Sequence, residues 1–274
     1  MRLLQELSSE LNRLFLFELP EGNRVEAVFY RGDTLCLSTQ VGCAIGCPFC
    51  FSGRLGLLRN LTAEELVGQY ELLKDRLPIK RVAFAGIGEP LMNWSHVKEV
   101  FWYLRKKSIG VSFYTTGHPL HKLGELLHLP HQGVTISLHS TSEEVRKRLL
   151  PHGGSLKELL KTLKEEIGKL SASKRKKISL AYLLLKGVND GEEDIRAFGE
   201  LVRELGTTAT LLRYNSISED YKDVEDSHYE RAFLLLRSYH IRVTLSTRFR
   251  KDRLGGCGTL TVNRPLTEYL EDPL

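Results

Sequence analysis

Residues 34–50 read TLCLSTQVGCAIGCPFC. The first six, Thr34 to Thr39, form a short apolar run with β-branched ends, the pattern of a strand buried on both faces. The run passes directly into a loop that holds Cys43, Cys47 and Cys50 within eight residues. Gly42 and Gly46 give that loop the backbone freedom to fold tightly and bring three thiols together. The stretch therefore predicts a strand whose C-terminal end carries a metal-binding loop.

Outward from this strand the chain alternates. Apolar runs at 81–86, 110–116, 133–138, 178–185, 208–213 and 241–246 predict further buried strands. Helical periodicity falls near 62–75, 94–107, 119–127, 142–149, 155–169, 190–205 and 224–239. Thr62 and Glu65 make a capping box at the first of these helices, and Asp190 or a neighbour is expected to cap the one after Asn189. Repeated βα units imply an α/β fold with a parallel sheet and right-handed crossovers. Six or so units predict an open or closed βα barrel, with its chemistry at the C-terminal ends of the strands.

Ahead of this pattern, Leu3, Leu4, Leu7, Leu11 and Leu14 stand at helical spacing, so residues 2–14 are expected to be a helix. Residues 15–19 and 24–30 read as strands around the turn Pro20-Glu21-Gly22-Asn23. The expected organisation is a helix-and-strand appendage over 1–30, a barrel domain over 31–265 and a C-terminal tail over 266–274. Residues 171–177, SASKRKK, are expected to be an exposed loop, with a solvated charge run favoured over a nucleic-acid contact.

The 274 residues, 42% hydrophobic and 27% charged, suit a folded chain with a sizeable core. A net charge of +5 leans toward an anionic partner without requiring one. The opening MRLLQELSSE is broken by charge too early for a signal-peptide core, and no apolar run reaches the roughly 18 residues of a membrane span. A soluble cytoplasmic protein is expected. The five cysteines are odd in number and three are crowded together, unlike a secreted disulfide scaffold.

Cubane iron–sulfur clusters are held by cysteine thiolates, normally four. Here three lie close together and a fourth does not, which leaves one iron open to a substrate. Structural zinc would require four ligands in a closed site. Cys36 and Cys257 lie outside this group, and each could simply be a small buried residue.

The spacing Cys43-x-x-x-Cys47-x-x-Cys50 resembles that of the radical S-adenosylmethionine (SAM) superfamily. A closer resemblance, to the RlmN/Cfr family of RNA adenine methyltransferases, covers roughly residues 24–260. It rests on Leu35–Cys50, Arg59-Asn-Leu-Thr62, Gly86-Ile-Gly-Glu-Pro-Leu-Met-Asn93, Ser137-Leu-His139, Leu185-Lys-Gly-Val-Asn-Asp190 and Gly256-Cys-Gly258. The resemblance implies a radical SAM partial (β/α)6 barrel, with a [4Fe–4S] cluster on Cys43, Cys47 and Cys50 whose open iron chelates SAM. It implies SAM contacts at Gly88, Glu89, Tyr114, Ser137, Leu138, His139 and Asn189.

It also implies that Cys257 accepts a methyl group from a first SAM, and that a 5′-deoxyadenosyl radical from a second SAM removes a hydrogen from it. The resulting carbon radical adds to adenine C2 or C8. Loss of the base proton, with Glu26 as the implied acceptor, and attack on sulfur by Cys36 release the product and leave a transient Cys36–Cys257 disulfide. The implied partners are an rRNA or tRNA substrate and an electron donor such as flavodoxin or ferredoxin.

The chain departs from the family in places. Only 25 residues precede Glu26, so the helical domain that typical members carry there is expected to be nearly absent. Tyr114-Thr-Thr-Gly117 replaces Ser-Thr-Ser-Gly, Pro151-His-Gly153 replaces Pro-Ile-Asn, Phe51 stands where a small residue is usual, and Thr259 replaces a glutamine. Two alternatives stay open, the first of them supported by these changes. One is the same methylcysteine chemistry on a non-ribosomal substrate such as tRNA alone, a nucleotide or a peptide. The other is a non-catalytic iron–sulfur or zinc module that binds RNA.

Overall fold

The computed structural model describes residues 1–252 and 254–263, so the tail expected over 266–274 lies outside the described residues. Three strands open the chain: β1 (Arg2–Ser8), β2 (Asn12–Glu18) and β3 (Arg24–Tyr30). They form an antiparallel meander, and β3 pairs antiparallel with β4 (Thr34–Leu37). A separate hairpin, β5 (Gln40–Gly42) and β6 (Leu57–Asn60), brackets the cysteine loop. Then follow β7 (Arg81–Phe84), β8 (Gly110–Thr115), β9 (Gly133–Ser137), β10 (Ile178–Leu184), β11 (Thr208–Arg213) and β12 (Val243–Leu245).

Among the described residues the large sheet has ten strands in the order β1-β2-β3-β4-β7-β8-β9-β10-β11-β12. From β4 onward every pairing is parallel. The seven parallel strands are those the apolar runs predict, each within a few residues. Among the described residues the sheet is open, with β1 and β12 at its edges, which agrees with a partial barrel. Its inner strands are buried on both faces: β7 reads RVAF with only Arg81 exposed, and β10 is buried at all but one position. Parallel strands covered by helices require this continuous apolar run.

Two short helices flank the cysteine region, α1 (Phe51–Arg54) and α2 (Ala63–Glu71). The latter begins in the expected capping box, with both Thr62 and Glu65 bonds present. Over the sheet lie α3 (Trp94–Lys106), α4 (Leu120–His128), α5 (Glu143–Leu149) and α6 (Leu156–Gly168). The one-turn α7 (Ala172–Arg175) precedes α8 (Glu192–Leu205), α9 (Asp226–Ser238) and the short α10 (Arg248–Lys251). Among the described residues no helix is long and apolar enough to cross a membrane.

Three expectations are corrected. Residues 2–14 are not helical. A turn closed by the Ser9 hydroxyl, which accepts from Asn12 N at 3.0 Å, folds β1 back on β2. A one-residue bulge between Leu3 and Gln5 puts Leu3 opposite Phe17 and Leu7 opposite Leu14. A bulge breaks the period of two, so this strand carries leucines at spacings that mimic a helix. Pairing and burial of Leu3, Leu4 and Leu7 against the core override helix propensity. Asp190 does not cap α8, because its carboxylate accepts from Gly187 N and Gly191 is the uncapped N-terminal residue. The acidic first turn Glu192-Glu-Asp194 complements the helix dipole instead. The 171–177 run is a helical turn. Its Arg175 donates to the carbonyls of Leu170 and Gly168, and Lys174 donates to His128 O, so these cations close the ends of α6 and α4.

Most buried side chains form one core between sheet and helices. A smaller cluster, including Ile45, Leu149, Leu150, Leu183 and Tyr214, packs beneath the cysteine loop at the C-terminal strand ends. It is this second cluster that gives the site its floor.

Candidate functional site

The cysteine loop leaves the sheet after β4. Cys43 N donates to Gly56 O at 2.9 Å, and Cys50 N donates to Cys47 O at 3.1 Å. Gly42 has a φ of +83°, and a Cβ there would stand 1.9 Å from Gly56 O, so only glycine lets the two sides of the loop approach. The loop is stitched to the far end of the chain. Phe51 N donates to Gly258 O at 2.9 Å, and Ser52 Oγ donates to Leu260 O at 2.6 Å. Cys257 is thereby brought over the cysteine loop.

Cys43, Cys47 and Cys50 line one cavity of about 190 Å³ together with Gly88, Glu89, Tyr114, Ser137, His139 and Cys257. A second chamber of about 150 Å³ holds Cys36 and Tyr30 and shares Cys50, Tyr114, Arg250 and Cys257 with the first. Cys36 is buried and Cys257 exposed; both are free thiols, so the structure carries no disulfide between them. Burial, followed by the proximity of Cys257, pushes the Cys36 thiol up to about 12.

The donor set fits an iron–sulfur cubane. Burial pushes the Cys43 thiol up to about 12 and raises those of Cys47 and Cys50 as well, so thiolates there need a cationic partner. Among the described residues no group of three or more His, Cys, Asp or Glu side chains is placed to hold a single metal ion. A cubane distributes its thiolates over separate irons and does not require that convergence.

Glu89 is 2% exposed and heavily anchored. One oxygen accepts from Leu91 N and the Thr115 hydroxyl, the other from Thr116 N at 2.7 Å and Thr116 Oγ1 at 2.8 Å. Burial raises its pKa, against the pull of these donors. Thr115 and Thr116, within the departing Tyr114–Gly117 segment, are thus part of the site, a role the sequence reading missed. Gly88 has a φ of +105°, and a Cβ would meet the Gln40 side chain at 2.7 Å.

His139 sits at the end of β9 with φ +62°. Its Nδ1 accepts from Leu183 N at 3.1 Å, so the neutral ring carries its proton on Nε2 and offers that N–H as a donor. Burial, with Arg146 nearby, holds its pKa down to about 3; burial likewise holds buried His131 at about 4. The unfolded chain binds protons at these imidazoles below their ordinary 6.5 while the folded chain does not, so stability falls as pH drops through 6.5 toward those values. At about pH 5 the loss is about 2 kcal/mol per imidazole. Urea midpoints measured on the cluster-free protein at neutral and mildly acid pH check this; a midpoint that holds steady would refute it.

Leu138, Asn189 and Glu26 do not line either chamber. The Leu138 side chain lies in the core. Asn189, 1% exposed, spends its amide on backbone: Nδ2 donates to His139 O at 2.6 Å and Leu183 O at 2.8 Å, and Oδ1 accepts from Leu185 N at 2.8 Å. It holds the ends of β9 and β10 in register rather than facing the cavity. Asn189→Ala orphans buried backbone groups and should cost on the order of 3 kcal/mol, read as a lowered thermal midpoint. Glu26 is fully buried, accepts from Thr261 N at 3.0 Å and lines neither chamber, so it braces the segment after Cys257. Tyr114 lines both chambers, but its hydroxyl accepts from Arg250. Arg250 was legible only as one charge in the basic run 248–253.

Comparison with known proteins matches residues 37–199 to the radical SAM superfamily. A probable RNA methyltransferase of Rhodopseudomonas palustris is 39% identical over 212 residues, covering 74% of this chain and 58% of that protein. The dual-specificity RNA methyltransferase RlmN of Geotalea uraniireducens is 30% identical over 267 residues, covering 93% of this chain and 76% of that one. A solved radical SAM methyltransferase from Sphaerobacter thermophilus superposes with a TM-score of 0.83 at 26% identity, over 94% of this chain and 80% of its own.

Proposed function

The chain belongs to the radical SAM superfamily and, within it, to the RlmN-like RNA methyltransferases, and from that premise we propose that it methylates an adenine carbon of RNA, C2 or C8, through a methylated Cys257. The observation that carries this reading is the chamber shared by Cys36 and Cys257, which also touches Cys50 of the cluster loop. A [4Fe–4S] cluster on Cys43, Cys47 and Cys50, with SAM at its open iron, supplies the one-electron chemistry when bound.

The chain's own residues do the rest. Cys257 carries the methyl carbon and Cys36 stands in the same chamber as the second sulfur. Ser137 and the Nε2–H of His139 line the SAM cavity as donors, and Gly88 leaves room for close approach. Glu89, clamped by Thr115 and Thr116, supplies fixed negative charge beside the site of the SAM ammonium. Buried Leu183 and Leu150 help exclude water from the same cavity.

The electron enters from a small reducing protein of the flavodoxin or ferredoxin type. Five free thiols suit a reducing compartment, in keeping with a cytoplasmic enzyme. The test is nucleoside mass spectrometry of total tRNA and large-subunit rRNA from cells with and without the protein. A 2-methyladenosine or 8-methyladenosine that requires the gene is the expected result. An unchanged profile in both RNAs would move the substrate away from those two classes.

A further inference from the structure

We propose that Arg250 is a positioning residue for the sulfur of Cys257, with Tyr114 as its platform. This inference rests on the reading of Cys257 as the methyl-accepting thiol. The Arg250 Nη1 donates to Cys257 Sγ at 3.6 Å, and Nη2 donates to the Tyr114 hydroxyl. Its guanidinium carbon lies 4.9 Å from the centroid of the Tyr114 ring. The backbone closes the arrangement: Cys257 N donates to Arg250 O at 3.0 Å, and Asn215 Nδ2 donates to both Arg250 O and Cys257 O, at 2.7 and 2.8 Å.

Among the described residues, the groups that act on this guanidinium are Tyr114, Cys257, Tyr30 and Cys36, and none is a carboxylate. A half-buried cation normally takes a carboxylate partner, because desolvation is costly otherwise. Here the planar fork is divided between a phenol and a sulfur, and its ring stacking fixes the direction of both donors. Both the aromatic face and the hydroxyl that hold the guanidinium come from Tyr114, one of the positions at which this chain departs from the family.

The step that this positioning serves balances simply. A lone pair of Cys257 Sγ forms a bond to the SAM methyl carbon, and the methyl–sulfonium bond breaks. Its electron pair stays on the departing sulfur of S-adenosylhomocysteine, and the thiol proton passes to solvent. Displacement at carbon requires an in-line sulfur, so loss of the clamp should slow this step more than anything else.

The experiment uses cluster-loaded protein and measures methyl occupancy of the Cys257 peptide by mass spectrometry after incubation with SAM, beside the cluster absorbance. Arg250→Ala should lower the rate of methylation by roughly tenfold or more with the absorbance unchanged. Arg250→Lys, which keeps the charge but not the fork, and Tyr114→Phe should fall between it and the parent. Guanidinium ion added to Arg250→Ala should restore part of the rate, which a collapsed loop would not allow. If Arg250→Ala does not load the cluster, Arg250→Lys and Tyr114→Phe decide the matter. Parental methylation in the variants that load the cluster, or a loss that guanidinium leaves unrepaired, overturns the proposal. An unmethylated Cys257 in the parent protein would instead overturn the reading beneath it.

Discussion

Cys36→Ala protein, incubated with RNA, SAM and a reductant, should accumulate RNA covalently attached to Cys257. Once a carbon borne on Cys257 is bonded to the base, product leaves only when a second sulfur attacks the first and takes over the bond. Besides Cys50 of the cysteine loop, Cys36 is the other cysteine of that chamber. Alanine keeps the small volume of a buried site but has no lone pair to offer. The release step should slow by about a thousandfold or more, comparable to removing a nucleophile from a covalent mechanism. Denaturing electrophoresis reads the adduct directly. Wild-type product yield without any adduct would remove Cys36 from the mechanism.

Cys257→Ala should abolish both product and adduct, including in the Cys36→Ala background. The exposed Cys257 is stitched over the cluster loop by the Gly258 and Leu260 carbonyls, and those bonds come from backbone that alanine retains. Its loss therefore tests chemistry rather than folding: cluster absorbance and thermal midpoint should match the parent while methyladenosine falls to background. Retained methylation would show that the methyl reaches RNA without stopping on this sulfur, and would favour a reading in which Cys36 and Cys257 are packing residues.

Local signals were legible in the sequence and long-range ones were not. The parallel strands from β4 to β11 announce themselves as short apolar runs because they are largely buried on both faces, while the edge strand β12 is only partly covered. The Thr62–Glu65 cap is likewise a contact three residues long. The leucines of β1 mislead because a bulged edge strand and a helix leave similar spacings. The side chains of Asn189 and Glu26 bond to backbone instead of lining the chambers. A family motif marks the position, whereas the side chain's direction depends on partners far away in the chain, such as His139 for Asn189 and Thr261 for Glu26. Arg250 was hidden for the same reason: its partner Tyr114 lies on β8, and nothing in the run RFRKDR distinguishes one cation from the next.

The most direct test of radical methylation through sulfur is to supply reconstituted protein and RNA with SAM whose methyl group is fully deuterated. The nucleosides are then weighed by mass spectrometry. A methyl that stops on Cys257 and surrenders one hydrogen isotope before joining the base gives methyladenosine lacking one deuterium. Methyladenosine that keeps every deuterium would mean direct polar transfer from SAM to RNA, and would contradict the account.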